Sequence, residues 1–172
     1  MISLQEAKSI INNNTFELQS ERVHLTLAGN RVLGQDVVAS FPSPQFDNSA
    51  MDGFAVRSRD TKGASPENPV TLTMASISSA GAPSNVSLNP GECIQCMTGA
   101  KIPDGADAII MVEDSSGFSD SGTVQIMIET FPGKHIRKMG EEIKEGEILI
   151  QKGTTLTPSE IGTCATFGYG EL

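Results

Sequence analysis

Basic residues are scarce in this chain: 12 Lys plus Arg stand against 21 Asp plus Glu, a formal charge of -9 at pH 7. Nucleic acid and anionic membrane surfaces are held by a basic field, so this balance excludes general binding to either. A local Arg/Lys cluster can still meet an anionic ligand. Long apolar runs are missing too, and none approaches the length of a membrane span. Residues 1–6 carry no basic stretch followed by an apolar one, so no secretory signal is expected and the expected compartment is the cytoplasm. The two histidines, His24 and His135, have no visible nucleophile partner. That leaves no triad and gives hydrolase chemistry little support. Cysteines number three. Cys93 and Cys96 form a Cys-x-x-Cys within an extended-looking stretch, which points their thiols to opposite sheet faces. A redox pair of this spacing opens a helix instead. A zinc site would need two more ligands, and only Cys164, His24 and His135 offer sulfur or nitrogen. Buried small residues are the plainer reading.

What is present is turn chemistry between short strands. The 172 residues suffice for one domain or two small ones. Ser3 and Glu6 form a capping box for a helix whose apolar face is Leu4, Ala7, Ile10 and Ile11, ended by Asn12, Asn13 and Asn14. Residues 21–25 read as extended, 31–33 as a short helical stretch, and 36–39 as a strand. Strands are then expected at 54–56, 70–74, 93–97, 108–112 and 123–128, with Gly and Pro between them. Val124, Ile126 and Ile128 alternate with polar or flexible neighbours, as a half-buried strand requires, and 119–122 suits the preceding hairpin turn. Residues 147–151 read as a strand and Lys152-Gly153 as a turn. Thr157 and Glu160 make a second capping box with Pro158 at the first helical position. Ile161, Cys164 and Ala165 lie on one face, and Gly168 is the stop.

The expected fold is mainly β with a few helices, of α+β character. Residues 1–41 and 141–172 together form a discontinuous helix and strand unit. Residues 42–140 form an inserted strand-rich domain of barrel or bifurcated-sheet type.

Three segments carry groups suited to chemistry. Residues 46–56, Phe-Asp-Asn-Ser-Ala-Met-Asp-Gly-Phe-Ala-Val, crowd Asp47, Asn48, Ser49 and Asp52 before Gly53. The segment enters from Pro42 and Pro44 and leaves into a strand-like run, so the polar cluster is expected on a tight bend. Asx-turn bonding of Asp and Asn to their own backbone is the structural alternative. An EF-hand is excluded, because Asp52 stands where that loop needs Gly and position twelve is not Glu. Residues 97–114 set the Thr98 hydroxyl beside Gly99 at a strand end, followed by Lys101 and a Pro103-Asp104-Gly105 turn. This is not a phosphate loop. Residues 133–146 hold the strongest positive cluster, Lys134, Arg137 and Lys138, beside Glu141 and Glu142. Arg137 can clamp an oxyanion and the two glutamates can hold magnesium. An exposed, self-neutralising charged loop is the alternative there.

Taken in order, residues 29–33, 46–56, 97–113, 137–146 and 153–168 resemble the N-terminal region of the molybdopterin molybdenumtransferases, a family that includes the corresponding domain of gephyrin. The resemblance implies insertion of molybdate into adenylylated molybdopterin, with magnesium, by a homodimer whose active-site cleft lies between this region and a partner subunit. It places Asp52 and Thr98 as catalytic groups and Arg137 as a substrate-binding group at that cleft, and makes the unit of residues 1–41 and 141–172 an elongated dimerisation region. Asp47, Asn48 and Ser49, in the same loop as Asp52, are the further candidates for substrate binding. By their carboxylate chemistry Glu141 and Glu142 are the candidates for metal. Three positions depart from the family pattern. Phe54 replaces a Tyr, Gln95 stands where an Arg is common, and Glu142 replaces the Asp of Gly-Glu-Asp. The glycine/serine-rich pterin loop of the family's next domain is not among these residues, so the sequence reads as one region of a longer enzyme, expected to be inactive by itself. A non-catalytic scaffold of the same fold is the alternative.

Overall fold

The computed structural model describes residues 2–16 and 18–172. The chain divides into two compact units, Met1–Val38 with Ile148–Leu172, and Ala39–Glu147. The second unit is wider than the 42–140 expected from the pattern. Its ends are tied to each other, because Ala39 N donates to Glu147 O and Gly146 N donates to Ala39 O.

In the first unit the helix α1 (Leu4–Asn13) has the expected capping box, with Ser3 Oγ accepting from Glu6 N and Glu6 reaching back to Ser3 N. None of its residues is buried. The core of this unit lies elsewhere. Leu25, Leu33, Val37, Ile150, Leu156 and Cys164 pack between the strand pair β1 (Val37–Val38) and β9 (Ile148–Ile150) and the second helix, α2 (Pro158–Thr166). Thr157 and Glu160 cap α2. The hydroxyl of Tyr169 donates to Val38 O at 2.7 Å and accepts from Val38 N at 3.1 Å, fixing β1 from the side. The helical stretch expected at 31–33 is not there. Leu33 N bonds Thr154 O and Leu156 N bonds Arg31 O, so a long-range ladder holds these residues extended. The nearby 3-10 turn is at Leu25–Leu27. Tertiary pairing overrides a weak local preference here.

The second unit is built on a five-stranded sheet in the order β6-β3-β5-β4-β7, with β3 Gly53–Val56, β4 Val70–Ser78, β5 Glu92–Cys96, β6 Ala108–Met111 and β7 Thr123–Ile126. Neighbours are antiparallel except β4 and β5, which run parallel. β3 is buried throughout and β7 alternates. The difference follows from position: β3 is covered on both faces, β7 on one. Phe54, Leu72, Cys93, Ile110, Val124 and Ile126 fill one side of the sheet. Ala55, Ile94, Cys96, Ala100 and Ile109 fill the other, with Leu88. Cys93 and Cys96 therefore face opposite sides as expected. Burial pushes the first thiol up to about 12 and the second to about 11, so neither is a ready nucleophile. Beyond β6 the chain swings across the free edge of β7, where Ser116 N bonds Gln125 O and Met127 N bonds Asp114 O. The sheet thereby curls toward a barrel. The fold is mainly β with a few helices.

Candidate functional site

Asp52 sits at the entry to β3, where the backbone of β3 is pinned between β5 and β6. Its own carbonyl accepts from Val112 N. One carboxylate oxygen, Oδ1, accepts from Thr98 N at 2.7 Å and from Thr98 Oγ1 at 2.7 Å. The second oxygen has no protein partner among the described residues, and the residue is exposed. The Thr98 backbone N–H, then its hydroxyl, hold the carboxyl below the usual carboxylate range. Asp52 is thus a charged, oriented acceptor with one oxygen open to a ligand. Removing only the hydroxyl, by Thr98→Val, is expected to raise the Asp52 pKa part of the way back, since the backbone donor remains. A carboxyl NMR titration reads this directly. Any contribution of Asp52 to stability is present above its unfolded pKa and is lost as the pH falls through its lowered folded value.

The other predicted residues are placed differently from an exposed polar loop. Asn48 and Ser49 form a short strand, β2 (Asn48–Ser49), paired with β8 (Ile136–Arg137). Both are buried. Their backbone belongs to a ladder, so the bend is confined to the residues that follow. Ser49 is fully covered and its hydroxyl donates to Met51 O at 2.5 Å, a role in shaping the bend rather than in meeting substrate. Asp47 is engaged by the charged loop: Lys138 Nζ lies 2.7 Å from Oδ2 and Met139 N donates to Oδ1 at 2.9 Å. Those contacts lower its pKa, the Lys138 hydrogen bond most. This pair was the missed feature. Lys138 was visible only as part of a basic cluster, and nothing in the local sequence joins it to a residue 91 positions away.

Glu141 and Glu142 were expected to hold magnesium, and the structure gives them other work. Glu141 Oε2 accepts from Lys138 N at 2.7 Å, and Glu142 Oε2 accepts from Ser43 Oγ at 3.1 Å. Among the described residues no three His, Cys, Asp or Glu side chains gather as a metal set. Two exposed carboxylates that brace their own loop do not make the oxygen shell a divalent cation needs. Arg137 is exposed, and its guanidinium makes no hydrogen bond or ion pair among the described residues. His135, at φ 56, is kept toward its neutral form by burial and then by Lys134.

The residues brought together are therefore Asp52 with Thr98, at the ends of β3 and β5, and Arg137 with Asn48, opposite each other on the adjoining strand pair. Comparison with known proteins decides what this arrangement belongs to. The family described as the MoeA N-terminal region (domain I and II) matches residues 2–168. The chain belongs to that family. Molybdopterin molybdenumtransferase 2 of Mycobacterium tuberculosis is 43% identical over 172 residues, covering 100% of this chain and 42% of the relative. The molybdopterin molybdenumtransferase of Bacillus subtilis is 40% identical over 156 residues, covering 90% of this chain and 36% of the relative. The crystal structure of the molybdopterin biosynthesis moeA protein from Pyrococcus horikoshii OT3 superposes with a TM-score of 0.89 at 33% identity, covering 98% of this chain and 44% of that one. This MoeA N-terminal region thus spans less than half the length of each of these relatives. Among its described residues no helix is long and apolar enough to cross a membrane.

Proposed function

We propose that this region forms one wall of the molybdate-insertion site of a molybdopterin molybdenumtransferase, acting in the cytoplasm on molybdate and adenylylated molybdopterin. The observation that carries the reading is the Asp52–Thr98 pair. A carboxylate with one oxygen fixed by two donors at 2.7 Å and the other oxygen free is a directional acceptor. Its lowered pKa makes it a poor proton donor near neutrality. Its role is to orient and polarise a water or hydroxyl beside the oxyanion, not to act as a general acid. Arg137, lacking a counter-charge of its own among the described residues, balances negative charge on the substrate. Magnesium finds no gathered ligand set among the described residues, and no step is assigned to it. The remainder of the site is expected from the part of the enzyme beyond this region, so these residues alone are expected to give no turnover. The test is molybdenum insertion by the full-length polypeptide, with Asp52→Ala alongside. Insertion at the parent rate by the variant would overturn the assignment and favour a scaffold role.

A homodimer is part of the same proposal, and α1 supports it. Leu4 is 74% exposed, Ile10 50% and Ile11 61%, on a helix with no buried residue. An amphipathic helix derives most of its stability from a covered apolar face. With Leu4→Glu and Ile11→Glu combined, light scattering on the full-length polypeptide is expected to give the monomer mass where the parent gives the dimer. A dimer unchanged by both substitutions would remove α1 from the interface.

A further inference from the structure

Asn48 stands in the middle of a three-stranded patch. Its register partner on β8 is Arg137, and its bridge partner on the other side is Lys101. Ile102 N donates to Asp47 O and Ser49 N donates to Ala100 O, so Asn48 and Lys101 oppose each other without a direct backbone bond. That is the kind of pair in which side chains stand closest. Residues directly opposite in a sheet share a face. The inward face of this patch is marked by Ala100 and Ile136, which pack in the core with Ile94 and Ile109. Arg137, Asn48 and Lys101 consequently share the outward face, in a row about 10 Å long set by two interstrand spacings.

Two features of the row point to a ligand. Both flanking cations are exposed and make no side-chain hydrogen bond or ion pair among the described residues, in a chain with a formal charge of -9. Between them Asn48 is only 7% exposed, although it lies on the outward face. Its Oδ1 is buried without any hydrogen-bond partner. Its amide nitrogen has only a long bond, 3.4 Å, to Phe46 O. A buried acceptor left unpaired is costly, and a native site that keeps one invites a donor from outside. Neutrality at this position also matters. A carboxylate here would draw both cations onto itself.

We propose that Arg137, Asn48 and Lys101 form a binding strip for a diphosphate ester. The two cations converge on the phosphate oxygens, and Asn48, turning its covered amide outward, accepts through Oδ1 from a hydroxyl of the ligand. Lys101 supplies affinity as a point charge, and Arg137 supplies orientation through its planar fork. The inference rests on the reading above, because adenylylated molybdopterin is the phosphate ester that reading calls for, but it is tested separately from turnover.

The test is calorimetric titration of the 172-residue chain with ADP and with inorganic diphosphate. Both are expected to bind, ADP the tighter through its ribose hydroxyls. Lys101→Ala and Arg137→Ala are each expected to weaken ADP by about tenfold, the scale of one charge-assisted contact. Lys144→Ala, an exposed lysine elsewhere in this unit, should leave ADP binding unchanged. Asn48→Asp keeps the shape and should abolish binding by pairing with both cations, while circular dichroism shows the fold retained. Binding that is equal in the Lys101→Ala, Asn48→Asp and parent chains would overturn the strip, as would no binding by the folded parent chain. Either result leaves the Asp52 assignment standing, since that rests on insertion activity. Loss of insertion in Asp52→Ala together with intact ADP binding would separate the two in the opposite sense.

Discussion

Replacing Asp52 by Ala in the full-length polypeptide is expected to lower molybdenum insertion by at least about a hundredfold, the range seen when one preorganised electrostatic group is removed from a reacting centre. The fold should survive. The side chain is exposed, and the donors it releases, Thr98 N and Thr98 Oγ1, are on an exposed residue that water can reach. Asp52→Asn refines the result. It keeps an oxygen in the place of Oδ1 and removes only the charge. If orientation is the main contribution, Asn recovers part of the activity. If the charge polarises the water, Asn is as inactive as Ala. The pH dependence has a defined sign. Because Thr98 holds the Asp52 carboxyl below the usual range, the parent remains charged as the pH falls through ordinary carboxylate values. Thr98→Val should lose insertion at a higher pH than the parent does, since its Asp52 protonates sooner. A parent and a Thr98→Val variant with the same acidic limb would mean that Asp52 does not set that limb.

Much of this site could be read before folding, and what could not has a common cause. Local chemistry was legible. Both capping boxes are present, because the residues that satisfy the first helical N–H groups lie three apart in sequence. The opposed faces of Cys93 and Cys96 follow from strand period alone. Asp52 and Thr98 were each marked by their setting beside glycine at a strand end. What failed was anything set by distant pairing. Residues 31–33 look helical locally and are drawn extended by Thr154 and Leu156. Asn48 and Ser49 look like an exposed polar loop and are buried by β8, nearly ninety residues on. Asp47 and the glutamates of the charged loop looked available for substrate and metal, yet each braces that loop. Polarity in a sequence marks a group that needs partners. It does not say whether the partner is a ligand or another part of the chain.

Gly53→Ala is expected to be the most damaging single methyl group in the molecule. A Cβ at this position would lie 1.9 Å from Ile110 O, 2.9 Å from Ile110 C and 3.0 Å from Met111 Cα. All three are backbone atoms of β6, so no side-chain rotation can make room. Gly53 also pairs with Cys96 across the other edge of β3, which prevents the strand from sliding away. Overpacking of this kind costs about 3 kcal/mol or more when the obstacle is backbone. For a chain of this size that corresponds to a fall of roughly 10 °C in Tm. Gly162→Ala is the matching control, at an open position within α2 where nothing lies within 4 Å. It should raise Tm slightly, because alanine favours a helix over glycine by about 1 kcal/mol. If both variants shift Tm alike, the clash is being relieved and the close approach of β3 to β6 is not rigid. The functional consequence follows from adjacency. Asp52 precedes Gly53, and its carbonyl is held by Val112 N at the end of β6. A β3 pushed off β6 is driven toward β5, whose chain continues into Thr98, and the two 2.7 Å bonds from Thr98 to Asp52 are distorted. The Asp52 carboxyl of any folded Gly53→Ala protein should then titrate nearer its ordinary value. The glycine after Asp52 is therefore part of the site: it lets two backbones meet so that the carboxylate arrives where Thr98 can orient it.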